Sequence, residues 1–582
     1  DWEMWNEVDV DTCPITAWDF MSAVKVAYLG CKRGNSASTV LMGSICKEHR
    51  SAFDEVLVAN DLAEYTDAFN YHLYLGLPKY EGVLRELRSF LKRQGLGDRA
   101  IWVTEFGGKG EGRAVRKSAF SKFMAHSPAQ ELYQAEFAVK GLVLLQMEGV
   151  ARAYPFVFPP FNEDSGRKDW GFVRRDGTLK PVVEWSREMI GHLGGSKIVG
   201  ELERPAGDVR AFLYENDAGD QICVYWAETA VDTSNGNVDV DRIGQVERPF
   251  LLPTGRGERR TLVARRRPGY ALGLKGLRVK RTAVPPGRLG TGVPTCGIDR
   301  NLVLQVLVKD EDATVVEGKS ALELKGDACG LSVVVWNFDD QEKSVMLKMK
   351  GGRLEGSERE QKVPPFGKVS FDGRLAVTEG SVLRIPVEIR AVCDEDVSSR
   401  LTLPILCFEK WRRVCTEIEP DWANPVRWCR NDSADRSAMA FDASAKAMRF
   451  EYHWTGNVAH WAYPYLELTK DELKDAEYLE FEIRAESDRP GKYGATLVMV
   501  DRADGRLDEH IGYELPTESW ERRHVRIGGD GQAAVTRLRI GLNPLGSDHV
   551  HWIRNLKVLK SPAAGRRGKH GERPGTYEEM KL

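Results

Sequence analysis

The amino-acid sequence predicts an α/β unit built on parallel strands, followed by a series of all-β sandwiches. Three observations carry this expectation. Across residues 1–195 short apolar runs alternate with stretches of helical spacing, the pattern of βα units feeding a parallel sheet. After Gly195 the helical spacing gives way to strand-like runs in succession, the pattern of sandwiches. The 582 residues exceed what one core can hold, and at about 100–200 residues per domain they divide into three to five.

Taken in order, Trp2–Trp5 reads as a short strand and Ala17–Tyr28 as a helix. Thr39–Ile45 and Asp67–Leu75 read as the second and third strands, and Tyr80–Arg93 as an amphipathic helix ended near Gly95. Ala100–Phe106 is the fourth strand. Pro128–Met147 is a long helix, with Ser127 placed to cap it and Pro128 at its first position. Ala151–Phe158 is the fifth strand and Pro181–Leu193 the last helix. Beyond them Val209–Tyr214, Gln221–Ala227, Leu302–Val308, Gly330–Asn337, Val382–Val392, Tyr478–Ala485, Ala495–Val500 and Arg537–Leu542 read as strands. The expected domains are 1–195, a sandwich at 196–299, an immunoglobulin-like sandwich at 300–408, a jelly-roll unit at 409–560 and a disordered tail at 561–582, with each sandwich holding its own core. The chain opens Asp1-Trp2-Glu3-Met4-Trp5, inside a strand, which predicts further sequence before Asp1.

Composition narrows the function classes. Hydrophobic residues at 42% and charged residues at 29% are those of a folded protein, and 83 Lys and Arg against 86 Asp and Glu give −3, no global drive toward nucleic acid or an anionic membrane. No stretch approaches a membrane-spanning length. The ten cysteines include no Cys-x-x-Cys pair, so no cysteine metal site is expected. Oligomeric state is not readable.

Two glutamates stand out. Glu7 ends Trp5-Asn6-Glu7 and Glu105 ends Ile101-Trp102-Val103-Thr104-Glu105, each after an apolar run and before a loop. In a parallel barrel that places both at the carboxyl-terminal face, where catalytic residues sit. They are 98 residues apart, close to three units at about 31 residues each, and the two intervening strands fit that count. Two carboxylates facing across a cleft suit glycosidic cleavage, one giving a proton to the leaving oxygen and the other attacking the anomeric carbon or activating water. Asn6 is placed to bond a sugar hydroxyl. His72 and Tyr74 share one face of their strand, and a phenol near a carboxylate orients it and favours its ionised form. Singly these signals say little: Asn162-Glu163 repeats the dipeptide, and strand-end glutamates are commonly solvated. The ordered set is what points to chemistry.

That set resembles the (β/α)8 glycoside hydrolases of clan A, with features of families 39 and 5. Their fourth strand ends in Asn-Glu, as in Asn6-Glu7; their sixth often carries His-x-Tyr, as in His72-Leu73-Tyr74; their seventh ends in Thr-Glu-Phe-Gly, as in Thr104–Gly107. Trp170–Val173, Asp176-Gly177 and Lys180-Pro181 are similar to the segment after strand eight. The resemblance covers residues 1–195. It implies a partial barrel of strands four to eight, Glu7 as acid/base, Glu105 as nucleophile, Asn6 on the sugar 2-hydroxyl, Tyr74 on Glu105 and His72 lining the subsite. It also implies retained configuration on a β-linked oligo- or polysaccharide, carboxyl groups roughly 5–6 Å apart, no metal or organic cofactor, and a secreted or periplasmic protein. Strands one to three would precede Asp1. The tryptophan that often ends strand eight is replaced here by Phe158 or Trp170.

In the second half, Tyr452–Tyr465 gathers Tyr452, His453, Trp454, His460, Trp461, Tyr463 and Tyr465. Exposed, such rings stack on sugars, with Trp454 and Trp461 as the candidate contacts; buried, they fill a sandwich core. The 409–560 unit resembles the jelly-roll carbohydrate-binding modules joined to such hydrolases. Between Arg256 and Arg288 stand eleven Lys or Arg and one acid, Glu258, either a site for a polyanionic glycan or a charged strand face. A second functional reading is a non-catalytic carbohydrate-binding or scaffolding protein with a decayed barrel. The retained Glu7 and Glu105 favour the enzyme.

Overall fold

The computed structural model describes residues 1–9, 15–46, 52–108, 110–111, 128–163, 168–228, 246–254, 258–290, 298–309, 311–377, 383–393, 396–455, 461–488, 496–503, 509–514, 517–528, 533–542 and 547–561. Ser127, His460 and residues 562–582 of the expected tail lie outside them.

The α/β unit runs β1 (Trp2–Glu3), α1 (Ala17–Gly34), β2 (Val40–Leu41), α2 (Ala52–Ala59), β3 (Phe69–Leu73), α3 (Leu77–Arg93), β4 (Ile101–Phe106), β5 (Gly110–Glu111), α4 (Pro128–Met147), β6 (Arg152–Pro155), β7 (Asn162–Glu163), β8 (Lys168–Asp169) and α5 (Pro181–Leu193). β1 pairs in parallel with β2. Parallel bridges Leu41–Ala68 and Ile45–Tyr71 carry β2 onto β3, and β3, β4 and β6 form a parallel sheet. Five parallel strands therefore follow one another in chain order, with a helix after each. β5, β7 and β8 make a small separate antiparallel sheet.

Alternation explains the faces. On β3, Phe69, Tyr71 and Leu73 enter the core under the helices, so Asn70 and His72 point the other way. α1 starts where the Thr16 side chain accepts the Asp19 N–H, and it ends with Lys32 and Arg33 against the negative end of its dipole. α2, which lies between the strands expected at Thr39–Ile45 and Asp67–Leu75, buries Phe53, Val56 and Leu57 at helical spacing. β1 and β6 are the outer strands. Trp2, Trp5, Tyr154 and Phe158 near them are exposed, and Arg152 Nη1 reaches Asp1 Oδ2 at 2.8 Å.

A five-stranded antiparallel sheet follows, ordered Gly269–Leu274, Gln221–Ala227, Val209–Asn216, Ser196–Glu201, Arg281–Thr282. One face, with Phe212, Tyr214, Val224 and Trp226, packs on α4 and α5 through Val139, Val143 and Trp185. Many cations of the Arg256–Arg288 run meet acids from elsewhere in the chain: Arg265 with Glu247, Arg266 with Glu136, Arg267 with Glu188, Lys275 with Asp220, Lys280 with Glu203, and Arg281 with Glu148 and Glu201. These six cations serve the structure of the chain itself.

Residues 298–408 form two facing sheets, one of them Leu302–Val308, Ala328–Asn337, Lys368–Val377 and Gly352–Glu355. The expectation of a separate core fails here. Val8, Phe20, Phe53 and Leu57 of the α/β unit share one continuous cluster with Leu302, Leu304, Leu401 and Leu403. Polar groups stitch the same contact. Ser22 Oγ donates to Leu304 O at 2.7 Å, Lys25 Nζ to Arg400 O at 2.7 Å, and Asn60 exchanges two bonds with the Thr402 backbone. Helices α1 and α2 have thus been given an apolar partner by the sandwich.

The last unit pairs a six-stranded sheet around Ala447–His453, Asp548–Lys560 and Ala476–Ser487 with a five-stranded sheet around Tyr465–Leu466, Val535–Leu542 and Thr496–Arg502. Between them lies a core of Phe450, Tyr452, Trp454, Leu479, Ile483, Ile540 and Ile553.

Candidate active site

β4 carries a defect that builds the site. Tyr71 pairs with Val103, but His72 pairs with Glu105, so β4 holds one residue more than β3 at Thr104. Simple alternation would send Glu105 to the helix side with Ile101 and Val103. The bulge turns it to the same face as His72 and restores Phe106 to the core. Gly107 and Gly108 then let the chain pass tightly: a Cβ at the first would lie 2.8 Å from Phe156 O, and at the second 2.8 Å from Phe137 Cβ.

Glu7 is held by a different device. It adopts φ 48°, a region that side chains rarely occupy. Its N–H donates to Ser44 Oγ at 2.9 Å, and the Ser44 backbone bonds Trp5 O and is bonded by Val8 N, each at 3.1 Å. Strand β1 is thereby turned at its carboxyl end so that Glu7 faces Glu105. Strained backbone of this kind persists where surrounding structure fixes it, commonly at functional positions.

Between the two glutamates stands His72, its side chain 1% exposed. Its Nδ1 lies 3.0 Å from Glu7 Oε1 and 3.4 Å from Glu105 Oε2. Carboxylates only accept, so Nδ1 carries the hydrogen. Tyr74 donates its phenol to the same Glu105 Oε2 at 2.5 Å. The Tyr74 ring meets Trp170 edge-on at 5.1 Å and Phe156 at 6.3 Å, and Phe156 touches Phe161 at 5.3 Å. An aromatic wall therefore flanks Glu105. One donor atom each from Glu7, His72 and Glu105 lies within 4.8 Å of the others, a spacing a cation could bridge. Here the His72 N–H stands between the two carboxylates and is bonded to Glu7.

The structure thus brings together Glu7, Glu105, His72 and Tyr74, with Trp170 beside them. Asn6 is exposed next to Glu7. Phe158 is 60% exposed, and it is Phe156, unmarked in the sequence reading, that joins the wall. Also missed was Glu3, whose carboxylate lies 3.9 Å from His72 Nε2. Its carboxyl is pushed up, first by burial. Alternation along β1 from Glu7 toward the amino end was the available signal. In the last unit Trp454 is 1% exposed and belongs to the core, its indole N–H donating to Ser433 Oγ at 3.0 Å; of the two arrangements open to it, Trp454 takes the buried one, because it shares the inward face with Tyr452. Trp461 is half-buried and stacks on Tyr463 at 5.6 Å with a 20° interplanar angle.

No protein-family model and no curated protein matches the chain. Among solved structures it is similar to a family 39 glycoside hydrolase from the gut symbiont Bacteroides cellulosilyticus WH2, at 16% identity and a TM-score of 0.34, with 47% of this chain covered; the match spans 58% of that hydrolase. It is also similar to family 29 carbohydrate-binding modules. For one variant the identity is 14% and the TM-score 0.19, covering 25% of this chain and 92% of the module. Another variant, complexed with cellulohexaose, matches at 13% over the same shares.

Proposed function

We propose that residues 1–195 supply strands four to eight of a (β/α)8-type glycosidase site, and that the protein hydrolyses β-linked glycans with retention of configuration. The observation that carries this is the paired carboxylates of Glu7 and Glu105, set on the ends of two parallel strands with facing oxygens within 4.8 Å. Retaining pairs stand about 5–5.5 Å apart, whereas inverting pairs need about 6.5–9.5 Å to admit water. In this reading Glu105, tethered by Tyr74, attacks the anomeric carbon. Glu7 protonates the leaving oxygen and then takes a proton from the water that releases the glycosyl-enzyme. Asn6 bonds the sugar 2-hydroxyl, and Phe156 and Trp170 wall the subsite.

The test is a pair of variants in protein expressed from the complete reading frame. Glu105→Gln abolishes turnover of aryl β-glycosides, since no other group attacks. Glu7→Ala slows substrates with poor leaving groups far more than activated ones, and azide restores it on the activated set. Equal loss on both substrate types removes Glu7 from the acid role.

A second reading, binding of carbohydrate by residues 409–560, is favoured by the stacked and half-exposed Trp461–Tyr463 pair. Titration calorimetry with soluble β-linked oligosaccharides tests it: Trp461→Ala removes the binding heat, and undiminished binding rejects this platform.

A further inference from the structure

The His72 ring stands among three carboxylates. Its Nδ1 is hydrogen-bonded to Glu7 and lies 3.4 Å from Glu105 Oε2, while Nε2 faces Glu3 Oε1 at 3.9 Å, an ion-pair distance. Although β1 is an outer strand, the Glu3 side chain is only 28% exposed, because it turns toward the face that carries His72. The hydroxyls of Ser44 and Thr104 lie on the side of its carboxylate and favour its charged form. Both are placed to matter. Ser44 Oγ is also the acceptor that holds the Glu7 N–H. Thr104 is the residue at the β4 bulge, directly before Glu105, and its Oγ1 receives Asn70 Nδ2 at 3.4 Å.

Glu3 is therefore one residue removed from each member of the pair by two separate routes, and from both by way of His72. It ends β1 four residues before Glu7, toward the amino end and away from the face where a glycan would enter. Three carboxylates around one imidazole repel one another unless a proton is shared among them. Burial first, and the Glu105 charge in addition, raise the proton affinity of Glu3, which suits it to share a proton with the far side of the ring.

We infer that Glu3 is a positioning residue: through the His72 ring, Ser44 and Thr104 it fixes the orientation of the Glu7–Glu105 pair. This rests on reading that pair as the reacting groups. It assigns Glu3 no contact with substrate.

The experiment labels the histidine rings with nitrogen-15 in the full protein and records their tautomer and charge at neutral pH, with His72→Gln identifying the His72 signals. In Glu3→Gln, which keeps the shape and removes the charge, both His72 nitrogens shift while the other histidines hold. On aryl glycosides kcat falls about tenfold with KM within about twofold, and Glu3→Asp, which keeps the charge, restores part of the loss. If Glu3→Gln does not fold, Glu3→Asp with its shortened reach is read by the same spectrum and shifts His72 less. His72 signals that superimpose on wild type in a folded Glu3 variant overturn the inference, even if activity drops. A His72 shift in a protein that hydrolyses no glycoside upholds the link and instead rejects the hydrolytic reading of the pair.

Discussion

Tyr74 and Glu105 are joined by a phenol-to-carboxylate bond of 2.5 Å that spans two neighbouring parallel strands. It exists because β4 holds an extra residue at Thr104; in an unbroken ladder Glu105 would face the helices. The bond fixes one carboxylate oxygen, and on the proposed hydrolytic reading the other is the one that attacks. Tyr74→Phe keeps the ring against Trp170 and Phe156 and removes only the hydroxyl. The expected outcome is a melting temperature unchanged within a few degrees and a kcat lowered about 10- to 100-fold, the equivalent of about 1.4–2.7 kcal/mol. Single-turnover kinetics check it: the glycosylation step should slow most. An unchanged rate would remove Tyr74 from the mechanism.

Asn60 joins the α/β unit to the sandwich as a strand partner would. Its Oδ1 accepts the Thr402 N–H at 2.8 Å and its Nδ2 donates to Thr402 O at 3.0 Å, with Asn60 1% exposed. Asn60→Ala leaves both backbone groups buried and unpaired, at a cost of about 3 kcal/mol. The core is continuous across this contact, so urea should unfold residues 1–195 and 300–408 in one transition, displaced as a whole by the substitution. Two transitions, only one of which moves, would show the units to be energetically independent.

How much of this was legible follows from which forces acted locally. Pro128–Met147 and Pro181–Leu193 have the bounds the sequence predicts, because a proline opens each and apolar spacing runs to the end of each. Glu7, His72, Tyr74 and Glu105 could be singled out because each ends or follows a strand-like run. The bulge that aims Glu105 could not, since register depends on the partner strand rather than on β4 itself. Glu3 reads as one more alternating residue until His72 is placed beside it. Ser22 and Asn60, polar groups on helices, read as surface until the sandwich covers them. In Tyr452–Tyr465 the aromatic composition was plain, but which face each ring takes was set by the pairing of Ala447–His453 with Asp548–Lys560.

Arg281 is the hub of a charge network that fastens the sheet after Gly195 to α3 and α4. It bonds Glu148 at 2.7 Å and Glu201 at 2.9 Å, and also Glu81, which Arg210 holds at 3.0 Å. The Glu148 side chain is 1% exposed. Burial pushes the Glu81 and Glu201 carboxyls up, but the bonds from Arg210 and Arg281 outweigh it and hold both below the ordinary range. Their contribution is present above the unfolded carboxylate value and is lost as pH falls through the lowered folded one. Arg281→Met should cost about 3 kcal/mol at neutral pH, chiefly from the buried Glu148 left with a weaker partner. It should also shrink the loss of stability between about pH 5 and 3. Chemical denaturation at a series of pH values checks both, and a variant as stable as wild type would mean that the network adds nothing beyond packing.

The last unit carries two histidines where a sandwich ordinarily places hydrocarbon. His549 and His551 alternate on Asp548–Lys560, 1% and 0% exposed, and among the described residues neither ring nitrogen of either has a partner. His551 stacks on Phe450 at 4.8 Å and on Tyr452 at 5.7 Å. Burial lowers His549 to about 4, against a smaller opposing pull from Asp488, and drives His551 well below its ordinary value, with His549 adding to the effect. Both rings are therefore neutral in the fold, whereas in the unfolded chain they gain protons near pH 6.5. The unfolded state then binds more protons below that value. Stability is full above about pH 6.5 and declines as pH falls toward 4, by about 3 kcal/mol for His549 alone. The aromatic core of this unit should accordingly loosen under mild acid before the carboxylates elsewhere titrate. His549→Phe with His551→Phe removes both titrating groups and keeps a flat ring at each position. Melting followed by tryptophan fluorescence at pH 7.5, 6, 5 and 4 should show a steep decline in the wild type and a nearly level one in the double variant between pH 6 and 4. The same slope in both proteins would place the acid sensitivity elsewhere, and the two rings would then be stacking elements of the core with no part in its response to pH.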